Sequence, residues 1–201
     1  MTNGTIDDGT DFALTWTIDE PTARSSHALV DDGRVWLIDP IDWAPALERV
    51  ATLGKPAGVV QLLDRHNRGS AAVAARLGVP HLTVPAAIAD SPFELVALTH
   101  RRWWRESALW WPARRTLVVP EAVGTTAGFV VGTGPVGVHP ALRALPPRRL
   151  RAYAPDHLLV GHGAALHDDA AAALTSALDR SRRDIPRLLS RLPRLIRGAR
   201  S

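Results

Sequence analysis

Residues 58–80 read GVVQLLDRHNRGSAAVAARLGVP. The opening GVVQLL is an apolar run of strand length, so it reads as a buried strand. A polar loop follows, Asp64-Arg65-His66-Asn67-Arg68-Gly69, and Ser70 is placed to cap an alanine-rich helix that stops at Gly78. A buried strand that ends in a charged loop and passes into a helix is the unit of an α/β layered domain.

The same alternation extends in both directions. Upstream, FALTWTI (12–18) alternates apolar and polar residues as a half-buried strand does. SHALVD (26–31) and RVWLI (34–38) flank Asp31-Asp32-Gly33, a hairpin signal. Asp39-Pro40 ends that strand, and a short helix is expected over 45–53, with Pro45 in its first turn. Downstream, HLTV (81–84), ELVALT (94–99), SALWW (107–111), TLVV (116–119) and HLLV (157–160) read as strands, with Pro112–Arg115 as a turn. Pro146-Pro147 precedes a short basic helix up to Tyr153, and a longer helix is expected from Asp168 to about Arg183. The glycine-rich segment 124–137 reads as a flexible loop, either plain solvent-facing chain or a moving lid.

The chain has 201 residues, 24 basic and 20 acidic side chains and no cysteine. That length suits one compact domain. Disulfides and thiolate-ligated zinc are excluded. No apolar run approaches the ~20 residues of a membrane span. The segment Met1–Asp11 is polar and acidic, unlike a signal peptide, so a cytoplasmic location is the expectation. Residues 179–201 carry eight arginines and two aspartates, so the net charge of +4 belongs to the tail and the remaining body is slightly acidic. The domain is therefore set at 1–183 and a basic amphipathic helix at 184–201. In that helix Ile185, Leu188, Leu189, Leu192, Leu195 and Ile196 share one face. This face either docks on the domain or, over 184–197, meets a partner or a membrane surface. Trp103-Trp104 beside Arg101-Arg102 can stack bases, but core packing is the simpler reading, as it is for Trp110-Trp111, and there is no strong nucleic-acid signal.

Imidazole is a metal ligand and a general base near neutral pH. His66 and His162 each sit in a loop directly after an apolar strand, and Glu121 follows TLVVP. Ligands collect at the carboxyl ends of strands in α/β sheets, so His66, Glu121 and His162 form a candidate metal trio. Arg65 and Arg68 bring positive charge into the same loop, which favours an anion such as phosphate or carboxylate over a cation. In that case His66 or His162 serves as acid or base. His27 and His81 read as structural, and His157 and His167 as solvated. His139-Pro140 follows the glycine-rich loop.

The order of elements resembles the metallo-β-lactamase superfamily, a four-layered αββα sandwich. The resemblance covers about residues 10–180. It rests on Trp36-Leu37-Ile38-Asp39-Pro40 at the end of the hairpin, on HNRGSAAVAARLGVP (66–80) after a strand, on Val118–Ala122, and best on Leu158–Gly163, LLVGHG. In that frame His66 takes the place of the last histidine of the HxHxDH loop, Glu121 that of the bridging aspartate, and His162 that of the closing histidine. The two leading histidines fall on Gln61 and Leu63, and the aspartate on Arg65, with Asp64 one position away as a candidate catalytic carboxylate. His100 is the nearest counterpart of the remaining histidine. Asp39 is expected to support the site loops.

The resemblance implies a hydrolase-like protein with a reduced metal site holding at most one zinc or iron ion, or none, acting on an unknown small molecule. It equally allows a non-catalytic relative that binds a ligand or partner.

Overall fold

The computed structural model describes residues 2–66 and 68–190. Six strands form the first sheet in the order β1 (Gly4–Asp7), β2 (Ala13–Ile18), β3 (Ser25–Asp31), β4 (Arg34–Ile38), β5 (Lys55–Gln61), β6 (His81–Thr83). The first four run antiparallel, and the last two pairings are parallel. Asp32 and Gly33 close the β3–β4 hairpin with both φ angles positive, the geometry an Asp-Gly pair favours because it matches strand twist. The second sheet has four strands in the order β12, β9, β8, β7: β7 (Glu94–Arg101), β8 (Trp104–Trp111), β9 (Thr116–Val119) and β12 (His157–Val160). Two short strands, β10 (Val123–Gly124) and β11 (Gly137–Val138), pair beside it.

The two-residue period of a strand sends alternate side chains to opposite faces, and this divides the core into three sheets of apolar contact. Leu14, Trp16, Leu37 and Val59 face helices α1 (Ala44–Val50) and α2 (Ser70–Leu77). Their neighbours Leu29, Trp36, Ile38 and Val60 face Leu109, Trp111, Val118 and Leu159 across the gap between sheets. Leu117, Val119, Leu158 and Val160 face α3 (Ala170–Arg180) and the small hairpin. The result is a four-layer αββα sandwich, as expected. Each of these buried side chains contributes about 1.5–3 kcal/mol.

Several expectations are corrected. Gly69, not Ser70, holds the cap position of α2; its φ of +99° starts the helix one residue early, a conformation open to glycine. Ser70 is already helical and its hydroxyl is buried without a partner among the described residues. Strand β8 begins at Trp104 rather than Ser107, because solvent-facing Arg105 and buried Glu106 hid the alternation. Trp104 is buried, but Trp103 sits exposed in the turn of the β7–β8 hairpin. The segment 124–137 is neither plain solvent loop nor free lid: Phe129, Val131 and Val136 are buried in it, and buried Arg143 donates to the Phe129 carbonyl. His157 and His167 face each other with their Nδ1 atoms 3.0 Å apart instead of pointing into water.

The chain after α3 is helical again over 185–190. Asp184 is buried against Arg143, Arg180 and Arg187, and Leu188 is buried while Leu189 is exposed. Leu192, Leu195 and Ile196 lie outside the described residues. Among the described residues, no helix is long and apolar enough to cross a membrane.

Candidate functional site

The site lies where the strand ends of the two sheets meet. Beyond β5 the chain crosses to the second sheet: Ser107 N–H donates to the Leu62 carbonyl, and Asp64 N–H to that of Arg105. The loop after β12 crosses the other way, with Ser25 N–H donating to the Gly161 carbonyl and Gly163 N–H to that of Ala23. The two glycines of Gly161-His162-Gly163 are required by space. A Cβ on Gly161 would stand 2.0 Å from the Pro120 carbonyl oxygen, and one on Gly163 would stand 2.2 Å from Thr125 Oγ1 at a φ of +97°. The close approach to Pro120 brings His162 beside Glu121.

His66, Glu121 and His162 converge, with one ligand atom from each inside a 4.8 Å group. His66 Nε2 lies 3.0 Å and His162 Nε2 3.1 Å from the same oxygen, Glu121 Oε2. His162 Nδ1 donates to the Thr22 carbonyl at 2.8 Å, which fixes the ring and turns Nε2 into the cluster. Asp39 holds His66 from behind, its Oδ2 3.3 Å from Nδ1, while its Oδ1 accepts from Leu62 N–H. That is the supporting role expected of it.

Burial opposes a charge on His66, but the Asp39 carboxylate and contacts with Asp39 and Glu121 outweigh it and raise the pKa of the ring. Burial likewise opposes ionisation of Glu121, yet hydrogen bonds and charge from His162 and His66 hold its carboxyl well below the usual carboxylate range. Glu121 is therefore held as an anion by the two imidazoles beside it.

Three further residues complete the site. Arg68 is buried at its centre: Nη1 donates to the Ser25 carbonyl at 2.6 Å, and Nη2 to that of Gly161 at 3.1 Å. The same Nη2 lies 3.2 Å from Nε2 of His66 and 3.2 Å from Nε2 of His162. His139 Nε2 lies 3.3 Å from the second oxygen of Glu121, and its ring packs edge-on against Trp104 and Phe129. Fully buried Glu106 accepts the backbone N–H groups of Glu121 and Ala122 and the indole N–H of Trp104, and so positions Glu121. Burial pushes the Glu106 carboxyl up to about 7 against these donors. Glu106 went unnoticed in the sequence. The available signal is a carboxylate at an inward position, two residues from Trp104 and two from Ala108 on one strand face.

Asp64 pairs with Arg105 at 3.4 Å and is not part of the cavity wall. His100 is exposed on β7, away from the trio. Gln61 bonds the Leu63 carbonyl and His81. His27 is buried against Thr15, where desolvation lowers its pKa to about 4, in keeping with a structural role.

The cavity over the trio is about 530 Å³. Its wall carries Arg24, Arg65 and Arg68, with Leu63, Trp103 and Trp104. Arg24 is engaged by Glu20. Arg65 lies over the Trp104 ring at 4.4 Å and makes no ion pair among the described residues.

Two histidines and a carboxylate are a donor set that zinc or iron accepts. The space between them does not suit an ion. Such an ion sits ~2.0–2.1 Å from each imidazole nitrogen, and a guanidinium nitrogen anchored by two backbone carbonyls already stands 3.2 Å from both. With Arg68 in this position the trio does not fit a metal.

The fold has close counterparts among solved structures. A diflavin flavoprotein A 5 fragment from Nostoc sp. PCC 7120 superposes with a TM-score of 0.66 at 11% identity, over 90% of this chain and 98% of that one. DIM-1 metallo-β-lactamase exposed to ceftazidime does so with a TM-score of 0.61 at 13% identity, over 89% and 96%. VMB-1 at pH 5.5 gives 0.61 at 10% identity, over 90% and 97%. No protein-family model matches the sequence, and no curated protein does. Identities this low carry architecture alone, and the architecture they carry is the metallo-β-lactamase fold.

Proposed function

We propose that this chain is a hydrolase-like protein of the metallo-β-lactamase fold whose metal centre is lost, and that its cavity binds a small oxyanion such as a phosphate or carboxylate. The observation that carries this reading is the Arg68 guanidinium, 3.2 Å from both imidazole nitrogens. A fixed positive charge there repels a metal cation and attracts an anion. Arg65, which lines the cavity over the Trp104 ring and makes no ion pair among the described residues, is a cation that can turn toward a ligand. The imidazoles that share Glu121 can deliver or take a proton at the bound anion. The convergence of three ligand donors supports a second reading, a hydrolase with one metal ion.

The two readings separate on the protein purified without chelator. Metal analysis is expected to find well under one equivalent of zinc or iron, and inorganic phosphate is expected to raise Tm saturably, an effect weakened at least tenfold in apparent affinity by Arg65→Ala. About one tightly held ion per chain, removed by chelator with loss of Tm, would overturn the proposal in favour of the metal reading. Absence of any anion effect at millimolar concentrations would leave the non-catalytic partner-binding relative.

A further inference from the structure

A second cavity of about 540 Å³ adjoins the first, and Trp103, Trp104 and Ala141 line both. Its character differs. The first cavity gathers cations and imidazoles; the second is walled by Leu98, Leu142, Leu145 and Pro146, with Arg101, Arg148 and Arg149 among its other residues. Four large apolar side chains are exposed among the described residues, and two of them, Trp103 (58% exposed) and Leu145 (65%), line this cavity. Exposed apolar residues scattered singly are ordinary, but a pair of them on one concave, cation-rimmed wall marks a ligand surface. Trp103 occupies the exposed turn of the β7–β8 hairpin, where its ring meets only the edge of Trp104 and the Arg101 guanidinium among the ring contacts of the described residues. A lone inorganic anion fills only part of the first cavity and leaves the second untouched.

We infer that the ligand is an amphiphilic anion: an oxyanion head at Arg65 and Arg68, and an aryl or acyl body laid along the Trp103–Leu145 groove. This rests on the anion reading of the first cavity. The groove supplies apolar contact and the head supplies orientation, so affinity rises with the size of the apolar body.

Calorimetric titration of the full chain with inorganic phosphate, phenyl phosphate, octyl phosphate and 1-naphthyl phosphate tests this. The naphthyl ester is expected to bind at least tenfold more tightly than inorganic phosphate, with quenching of tryptophan fluorescence. In Trp103→Ala/Leu145→Ser, a variant altered at exposed positions, the ratio of the two affinities is expected to fall below three. Equal affinities in the unaltered protein, or a ratio that survives the double substitution, overturn the groove inference and leave the anion site standing. No binding of any phosphate overturns both. Sedimentation showing a dimer whose formation hides Trp103 from acrylamide quenching assigns the groove to a second copy of the chain and overturns the inference as well.

Discussion

Arg68→Ala should turn this cavity into a metal site. An ion held ~2.1 Å from the two imidazole nitrogens lies, by the triangle inequality, within about 5.3 Å of Nη2, which is 3.2 Å from each nitrogen. At that distance and an effective dielectric constant near 20, a unit charge repels a divalent ion by about 6 kcal/mol, equivalent to roughly four decades in Kd. Removing the guanidinium removes that repulsion and opens the space between His66, Glu121 and His162. A three-donor site of this kind is expected to bind Zn²⁺ or Co²⁺ at micromolar Kd or better. At an ion concentration 100 times Kd, linkage adds about 2.7 kcal/mol of stability, a rise of roughly 5–10 °C in Tm for a chain of this size. Without metal, the variant should be less stable than the parent, because the Ser25 and Gly161 carbonyls lose a charged donor, at about 1.5–3 kcal/mol per bond. Cobalt absorption in the visible region reports the coordination directly, and Arg68→Ala/His162→Ala should lose it. The reasoning fails if the unaltered protein binds zinc as tightly as the variant. It also fails if the folded variant, shown intact by circular dichroism, binds no metal.

Two other perturbations follow from the same geometry. The depressed pKa of Glu121 means that its stabilising contribution is present above pH 4.5 and lost as pH falls below it; Tm measured from pH 6 to 3 should fall less steeply in Glu121→Gln, and an unchanged slope would show that this carboxylate is not held by the histidines. Asp184→Ala leaves buried Arg143 without its acidic partner, at about 3–5 kcal/mol, and should expose the segment after α3 to limited proteolysis; a change within ~0.5 kcal/mol would show that this segment merely rests on the surface.

The layered fold was legible because its strands are short apolar runs punctuated by strong turn residues. Asp31-Asp32-Gly33, Asp39-Pro40 and the terminal Gly78 each mark a place where one backbone conformation wins on local grounds. Legibility failed where tertiary contact overrides local preference. Segment 124–137 reads as free chain from its glycines, yet a few apolar residues spaced among them are enough to anchor it. Strand β8 carries Glu106 inward because the backbone N–H groups of Glu121 and Ala122, 15 and 16 residues away, need an acceptor. No local pattern announces such a partnership.

The strand ends pointed to the trio, and its three side chains do converge, but their meaning is not contained in the three residues. His66, Glu121 and His162 alone describe a metal site; the proposal that the metal centre is lost rests on Arg68, whose Nη2 lies 3.2 Å from both imidazole nitrogens. Arg68, two residues after His66, brings Nη2 to 3.2 Å from the imidazole Nε2 and is pinned by the carbonyls of Ser25 at the start of β3 and of Gly161 after β12. A guanidinium is a single positive charge with fixed N–H directions, whereas a metal offers two charges and open coordination positions. It can orient and neutralise an anion, but it cannot lower the pKa of a bound water as zinc does. If the metal centre is lost as proposed, hydrolysis here would depend on proton transfer by the histidines that contact Glu121 rather than on a metal-bound water.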